Sequence, residues 1–432
     1  MNRNRRDVLA GFGGLSLATT GLLGRGANAA DVHARSPGTA AVNGFPRKAD
    51  FDIEPGYTYI NAAYTHPIPK VSLAAARDAA QGRASLRSAQ TTPAHGDPRE
   101  IFADLIGAQP REIAFVPSTS FGENLVVQSL GLHERFTGNV VTDGLHYEGA
   151  LMHLLELQRK GLDVRIVRPT AEFLIDMKDM ERVVDRNTRL IEISSVAMYN
   201  GFEHDLRAVA DLAHAHGAYV YADIIHSAGC GPFDISATGV DFAACSSFKW
   251  LMGDFGAGFL FTRAGVIDRL DRPVVGYMEG EVEAFYPPNV PDGTYAPIAY
   301  ELEKTAKGMF EPGTCGFVSS AVPAALLAAS LNYIKQVGLE NIKAHRQPLL
   351  DRLRKEVPRY GFTLVTPPEA TNGNITFAMR GVYDSGLPQK LRAAKVNVRF
   401  SKHWMRLSPS VYNDLHDVDR FLEVLEAAIG QS

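Results

Sequence analysis

The 432-residue sequence is poor in cysteine, with only Cys230, Cys245 and Cys315. No two of them form a CxxC pair, so neither a disulfide framework nor a cysteine metal cluster is expected. A surplus of positive charge is also missing: the formal net charge of -4 implies no basic surface of the kind nucleic acid requires. No GxGxxG or GxxxxGK[ST] loop occurs at residues 113–122, after the first strand of the alternating region, which argues against a nucleotide-dependent α/β enzyme. Internal repeats are absent, and composition is biased only near the N-terminus. What is present is ordinary for a globular chain, 45% hydrophobic and 21% charged, and long enough for two domains.

The first residues read as an export signal. Arg5 and Arg6 precede a weakly apolar, glycine-diluted stretch to Leu23, and Ala27-Asn28-Ala29 offers small residues for cleavage. Paired arginines suggest the twin-arginine route, which carries folded proteins, and hence export to the periplasm. The alternative is a short anchor that is kept; cleavage would leave no stable membrane insertion. Losing residues 1–29 removes four arginines and one aspartate, and the charge falls to about -7. Residues 30–56 form a flexible leader, 57–319 a large domain and 320–432 a smaller α+β domain.

From Ile113 onward short apolar runs alternate with stretches of helical spacing. Strands are expected at 113–116, 139–142, 163–167, 190–194, 218–222, 242–244 and 258–261, with helices between most of them. Repeated units of this size mean a largely parallel sheet covered by helices on both faces. Asp97-Pro98 marks a helix start, and Gly217 a helix end. Residues 272–300 form a long loop rich in Pro, Gly and Tyr.

The chemistry gathers at strand ends. Asp223 closes one apolar run, and Lys249 follows another 26 residues on. A lysine able to form a Schiff base, with a carboxylate for a pyridinium nitrogen, is what pyridoxal 5'-phosphate (PLP) chemistry needs. Ser118-Thr119-Ser120 between a strand and a helix suits a phosphate, or simply caps the helix. His146 and Tyr147 each offer a ring that could stack on a flat cofactor. Asn200 follows the strand at 190–194, and His226 could act as acid, base or hydrogen-bond donor. All fall at the C-terminal ends of expected parallel strands, where ligands bind in open α/β sheets.

Seven segments in order, YINAAYTHP (59–67), STSFGENLV (118–126), TDGLHYEGA (142–150), YADIIHSAG (221–229), SSFKW (246–250), FEPGT (310–314) and MRLSPSVYN (405–413), resemble the class V aminotransferase family of fold-type I PLP enzymes. That family includes cysteine desulfurases and isopenicillin epimerases. The resemblance implies that Lys249 holds PLP, that Asp223 meets the pyridine nitrogen and that His226 sits near the ring hydroxyl. Thr119, Ser120 and Ser246 would hold the phosphate, and Thr314 would reach the phosphate of a neighbouring subunit, implying a homodimer. Arg406 would grip the carboxylate of a small amino acid substrate, as a guanidinium does bidentately. Tyr64 would line the same pocket. Two departures stand out. No cysteine lies between Tyr360 and Arg406, where desulfurases carry a reactive one. Met198 stands about where they have an asparagine, so Asn200 or His226 would make that ring contact. The expected activity is aminotransferase-type, with C–S lyase, desulfurase-like or epimerase chemistry as alternatives and a non-catalytic PLP-fold protein behind them.

Overall fold

The computed structural model describes residues 44–85, 95–275, 280–282, 300–311 and 321–429. The signal sequence, much of the leader, Thr314, Cys315 and the 319/320 boundary lie outside them.

The described chain opens with β1 (Thr58–Tyr59), α1 (Lys70–Ala84) and α2 (Pro98–Ile106). It then alternates through β2 (Ile113–Val116), α3 (Thr119–Ser129), β3 (Asn139–Asp143), α4 (Glu148–Arg159), β4 (Asp163–Val167), α5 (Met177–Val183), β5 (Thr188–Ser194), α6 (Leu206–Ala215) and β6 (Tyr219–Asp223). A short α7 (Ile235–Thr238) leads to β7 (Phe242–Ser246) and β8 (Gly258–Thr262). Local chemistry sets these limits. Asp97 accepts from the Arg99 N–H with Pro98 in the first turn, and Gly107 closes α2 in the left-handed region. Asp176 and Asp205 cap α5 and α6 in the same way.

These strands form one seven-stranded sheet in the order β2-β8-β7-β6-β5-β3-β4. Its middle is parallel, as the alternation predicts. The one departure is β8, which runs antiparallel to both neighbours. No helix separates β7 from β8, and only a crossover can return a chain parallel. Helices cover both faces over two large apolar clusters. One includes Phe102, Ile191, Val209, Val220 and Phe259; the other includes Val126, Leu154, Leu190, Phe242 and Leu260. Within the long loop, β9 (Gly280–Val282) pairs antiparallel with β10 (Tyr300–Leu302).

Beyond α8 (Ala306–Phe310), α9 (Ala321–Val337) and α10 (Leu339–Glu356) come β11 (Thr363–Leu364), β12 (Ile375–Ala378), α11 (Leu387–Ala393), β13 (Val396–Asn397), β14 (Arg399–Phe400), β15 (Trp404–Leu407) and α12 (Leu415–Ile429). A second sheet, β11-β12-β15-β14, is antiparallel and buries its own core, with Leu353, Phe377, Met405 and Phe421. The N-terminal β1 pairs with β13, tying the start of the chain to its end. Among the described residues, no helix is long and apolar enough to cross a membrane.

Candidate active site

The ends of β5, β6 and β7 converge on Lys249. Asp223 ends β6, and its carboxylate accepts from the Ile225 N–H at 2.9 Å. His226 stands in the following turn, and Lys249 in the turn after β7. Lys249 Nζ lies 3.1 Å from His226 Nε2, and both side chains are buried. Trp250 Nε1–H, which can only donate, reaches His226 Nδ1 at 3.4 Å, and Asn374 Nδ2 meets the same atom at 3.4 Å. These contacts make Nδ1 the acceptor and leave the ring proton on Nε2, facing the lysine. Only an uncharged amine accepts it. Burial, followed by the charges of Lys249 and Arg406, holds His226 well below its ordinary pKa. Burial and then Arg406 lower Lys249 to about 8, although Asp223 and Cys245 pull it up. The three groups form one electrostatic unit.

Thr119 and Ser246 are joined directly. The Thr119 N–H donates to Ser246 Oγ at 2.8 Å, the hydroxyls lie 3.0 Å apart, and the Ser246 N–H donates to Thr119 Oγ1 at 2.9 Å. This knot fixes the start of α3 against the tip of β7. Capping of α3 falls to Ser118, whose Oγ accepts from the Phe121 N–H. The hydroxyl of half-buried Ser120 is thus not the cap, and it stands in the first turn of a helix whose dipole favours an anion.

Arg406 is buried on β15. Its Nη1 donates to the Met198 carbonyl at 2.9 Å, across to the loop after β5, and its Nε is without a partner. Burial and then neighbouring Arg399 lower it to about 10. Arg399 pairs with Arg406 across β14 and β15, and its guanidinium sits 5.1 Å over the exposed ring of Tyr64. Tyr64 therefore belongs to the rim of this arginine pair.

The two ring candidates differ. His146 is fully buried; its Nδ1 bonds Ser194 Oγ at 2.8 Å and its Nε2 is 3.8 Å from Glu192. Tyr147 is half-buried, and burial, then Glu148 and Asp223, raise its hydroxyl pKa. Asn200 is engaged in its own loop: its amide donates to the Phe173 carbonyl at 2.7 Å and its Oδ1 accepts from the Phe202 N–H at 3.0 Å. No contact among the described residues brings it to the Lys249 group.

Sequence reasoning missed Trp250 and Asn374 as partners of His226, the carbonyl of Met198, and Gly373. A Cβ on Gly373 would stand 2.5 Å from the Trp250 ring, so only glycine lets the chain before β12 cross that indole. SSFKW at least displayed Trp250; nothing local announced the others.

The sheet with its lysine at the end of β7 defines a fold-type I PLP enzyme. The Aminotransferase class-V family model matches residues 61–421, and the chain belongs to that family. A cysteine desulfurase of Haloferax volcanii is 25% identical over 364 residues, covering 79% of this chain and 80% of the relative. The apo cysteine desulfurase of Thermococcus onnurineus superposes with a TM-score of 0.76 at 23% identity, covering 91% of this chain and all of that one. A C-DES variant with glycine covalently linked to its PLP gives a TM-score of 0.72 at 18% identity, covering 88% and 98%. The cofactor is PLP. The residues fit it: a buried lysine of lowered pKa, a buried carboxylate at the tip of the neighbouring strand, hydroxyls at a helix start, and the unpartnered buried atoms Arg406 Nε and Asn374 Oδ1.

Proposed function

We propose that this chain takes an amino acid by its α-carboxylate and removes the proton from its Cα. The observation that carries this is the buried Lys249–His226–Arg406 group, with an amine poised near neutrality beside a guanidinium. Arg406 binds the carboxylate through the edge that includes its free Nε, with Tyr64 and Arg399 at the mouth. Lys249 Nζ holds the cofactor and, released by the substrate amine, serves as the base for Cα–H and as the acid that returns the proton. His226, kept neutral, presents Nε2–H toward that nitrogen and orients it. Asp223 would meet the pyridine nitrogen and hold a proton there; PLP, when bound, would supply the electron sink. Ser120, Thr119 and Ser246 with the α3 N-terminus hold the phosphate. His146 is enclosed by protein, so half-buried Tyr147 would be the residue to stack on the ring.

Transamination, with Lys249 as the acid that returns the proton, is the reading the family's name carries. A second reading, C–S cleavage, is favoured by the desulfurase relatives and by C-DES, described as a cystine C–S lyase. A protein-bound persulfide is not proposed, since residues 361–405 hold no cysteine. Inversion at Cα uses the same proton transfer. The holoprotein, incubated with a panel of L- and D-amino acids, separates these outcomes. Keto acid supports transamination, sulfide supports C–S cleavage, and the opposite enantiomer supports epimerisation. If Lys249→Ala leaves both cofactor absorbance and turnover unchanged, the reading fails. We also propose export by the twin-arginine route: replacing Arg5 and Arg6 by lysine should keep the protein out of the periplasmic fraction.

A further inference from the structure

Arg406 does not stand alone on its sheet. β14 and β15 run antiparallel, with Arg399 directly opposite Arg406. Residues opposite each other in such a pair project from the same face, with Cβ atoms about 4.5–5.5 Å apart. The two guanidiniums then part. Arg406 Nη1 reaches the Met198 carbonyl at 2.9 Å, whereas the Arg399 guanidinium lies 5.1 Å over the Tyr64 ring. Trp404, two residues before Arg406 on β15, shares that face and meets the Tyr199 ring edge-on, with centroids 6.3 Å apart. Three aromatic rings and two cations therefore gather at the Arg406 end of the candidate active site.

The charges are out of balance there. Like charges directly opposite each other in a sheet are destabilising. Folding places these two there all the same, and Arg399 is one of the groups that lower the pKa of Arg406. Among the described residues neither guanidinium is paired with a carboxylate. Arg99 and Arg165, by contrast, meet Glu311 at 2.9 Å and Asp185 at 2.8 Å. Glu148, the acid beside the aromatic group, accepts from the Tyr199 hydroxyl at 3.3 Å. Arg406 keeps a buried Nε without a partner, and Arg399 is exposed, resting only on Tyr64 among the described side chains. One guanidinium suffices for one carboxylate, since its planar fork takes both oxygens. A ligand with a single carboxylate leaves the second cation and the repulsion uncompensated. A ligand with an anion at each end neutralises both.

We propose that Arg399 is a specificity-determining residue of this site, and that the amino acid it selects carries a second carboxylate at the end of its side chain, as aspartate and glutamate do. The inference rests on the amino acid reading of the Lys249–Arg406 site given above. Arg406 takes the α-carboxylate, and Arg399, farther out and stacked on Tyr64, takes the acid of the side chain.

The test uses the holoprotein and ligands that differ only in one charge. Turnover is compared for L-aspartate against L-asparagine and for L-glutamate against L-glutamine. Binding of succinate and glutarate is compared with that of their monoamides by calorimetry, since these ligands carry no amine. At least one acid should exceed its amide by about tenfold or more in kcat/KM, and at least one dicarboxylate should bind about tenfold tighter than its monoamide. Arg399→Gln should bring both ratios to within about twofold, through a raised KM for the acid, while cofactor absorbance and the thermal midpoint persist. Arg399→Lys should retain part of the preference. Acids and amides handled alike by the parent protein, or a preference for acids that survives in Arg399→Gln, overturns the inference and leaves the Lys249–Arg406 reading standing. A holoprotein that reacts with no amino acid of a wider panel and binds no carboxylate overturns that reading, and this inference with it.

Discussion

Lys249 is the residue whose setting says most about its task. Its amine is buried, flanked by Arg406, and lowered from an ordinary 10.5 to about 8. The uncharged form, which is the nucleophile toward an aldehyde, therefore gains population around pH 8 rather than 10.5. PLP uptake by the apoprotein should accelerate with rising pH through a midpoint near 8, followed by absorbance; a midpoint near 10 would contradict this placement. The linkage has a definite sign. The native state holds fewer protons on this amine than the unfolded chain between about 8 and 10.5, so its contribution makes stability rise with pH there. The cost is present in full below that window. Arg406 makes the complementary prediction. Lysine at 406 keeps the charge but loses the planar fork, so KM should rise by about 10- to 100-fold, the value of a charge-assisted hydrogen bond of roughly 1.5–3 kcal/mol. An unchanged KM in steady-state kinetics would remove Arg406 from the carboxylate site.

The turns between elements decide whether those residues meet. Residues 247–257 contain no helix, so β8 returns antiparallel and the Lys249 turn is held on both sides: Ser247 Oγ donates to the Asp254 carbonyl at 2.8 Å, and the Phe248 carbonyl accepts from the His66 N–H at 2.9 Å. On the other side, the chain before β12 carries Asn374 to His226, a passage that Gly373 permits. Gly373→Ala should cost about 1–3 kcal/mol through overpacking against Trp250, read as a lower denaturant midpoint. It should also weaken the Asn374 contact and slow turnover. A variant as stable and active as the parent would mean that this crossing carries no weight. Asp97→Ala, by contrast, removes only a helix cap far from the lysine. About 1 kcal/mol of stability should go, with kinetics unchanged.

At the scale of the molecule, the described residues combine two larger sheets with separate cores. Arg406 on the second sheet bonds Met198 beside the first, so the proposed substrate clamp and the proposed cofactor lysine belong to different sheets yet share one electrostatic field. A small relative shift of the sheets would alter both pKa values together. The resemblance that places Thr314 at a neighbour's phosphate makes a homodimer the expected assembly. Light scattering should give a mass about twice that of one chain, and a strictly monomeric holoprotein would remove Thr314 from the proposal.

Much of this was decided by local sequence. The period of apolar runs, the caps Asp97 and Asp205, and the glycines that stop helices act within a few residues, so the βα order and the strand-end positions of Asp223 and Lys249 were legible directly. So was the Thr119–Ser120 turn. Three things were not. The direction of β8 depended on a turn whose length alone carries little signal. The engagement of Asn200 with Phe173, rather than with the Lys249 group, followed from loop packing. The meeting of His226 with Asn374, like that of Arg406 with Met198, joins residues 148 to 208 positions apart. Such meetings arise when the sheet assembles and the second sheet docks on it. Periodicity determines which face of an element is buried, but only packing determines which polar groups are buried together.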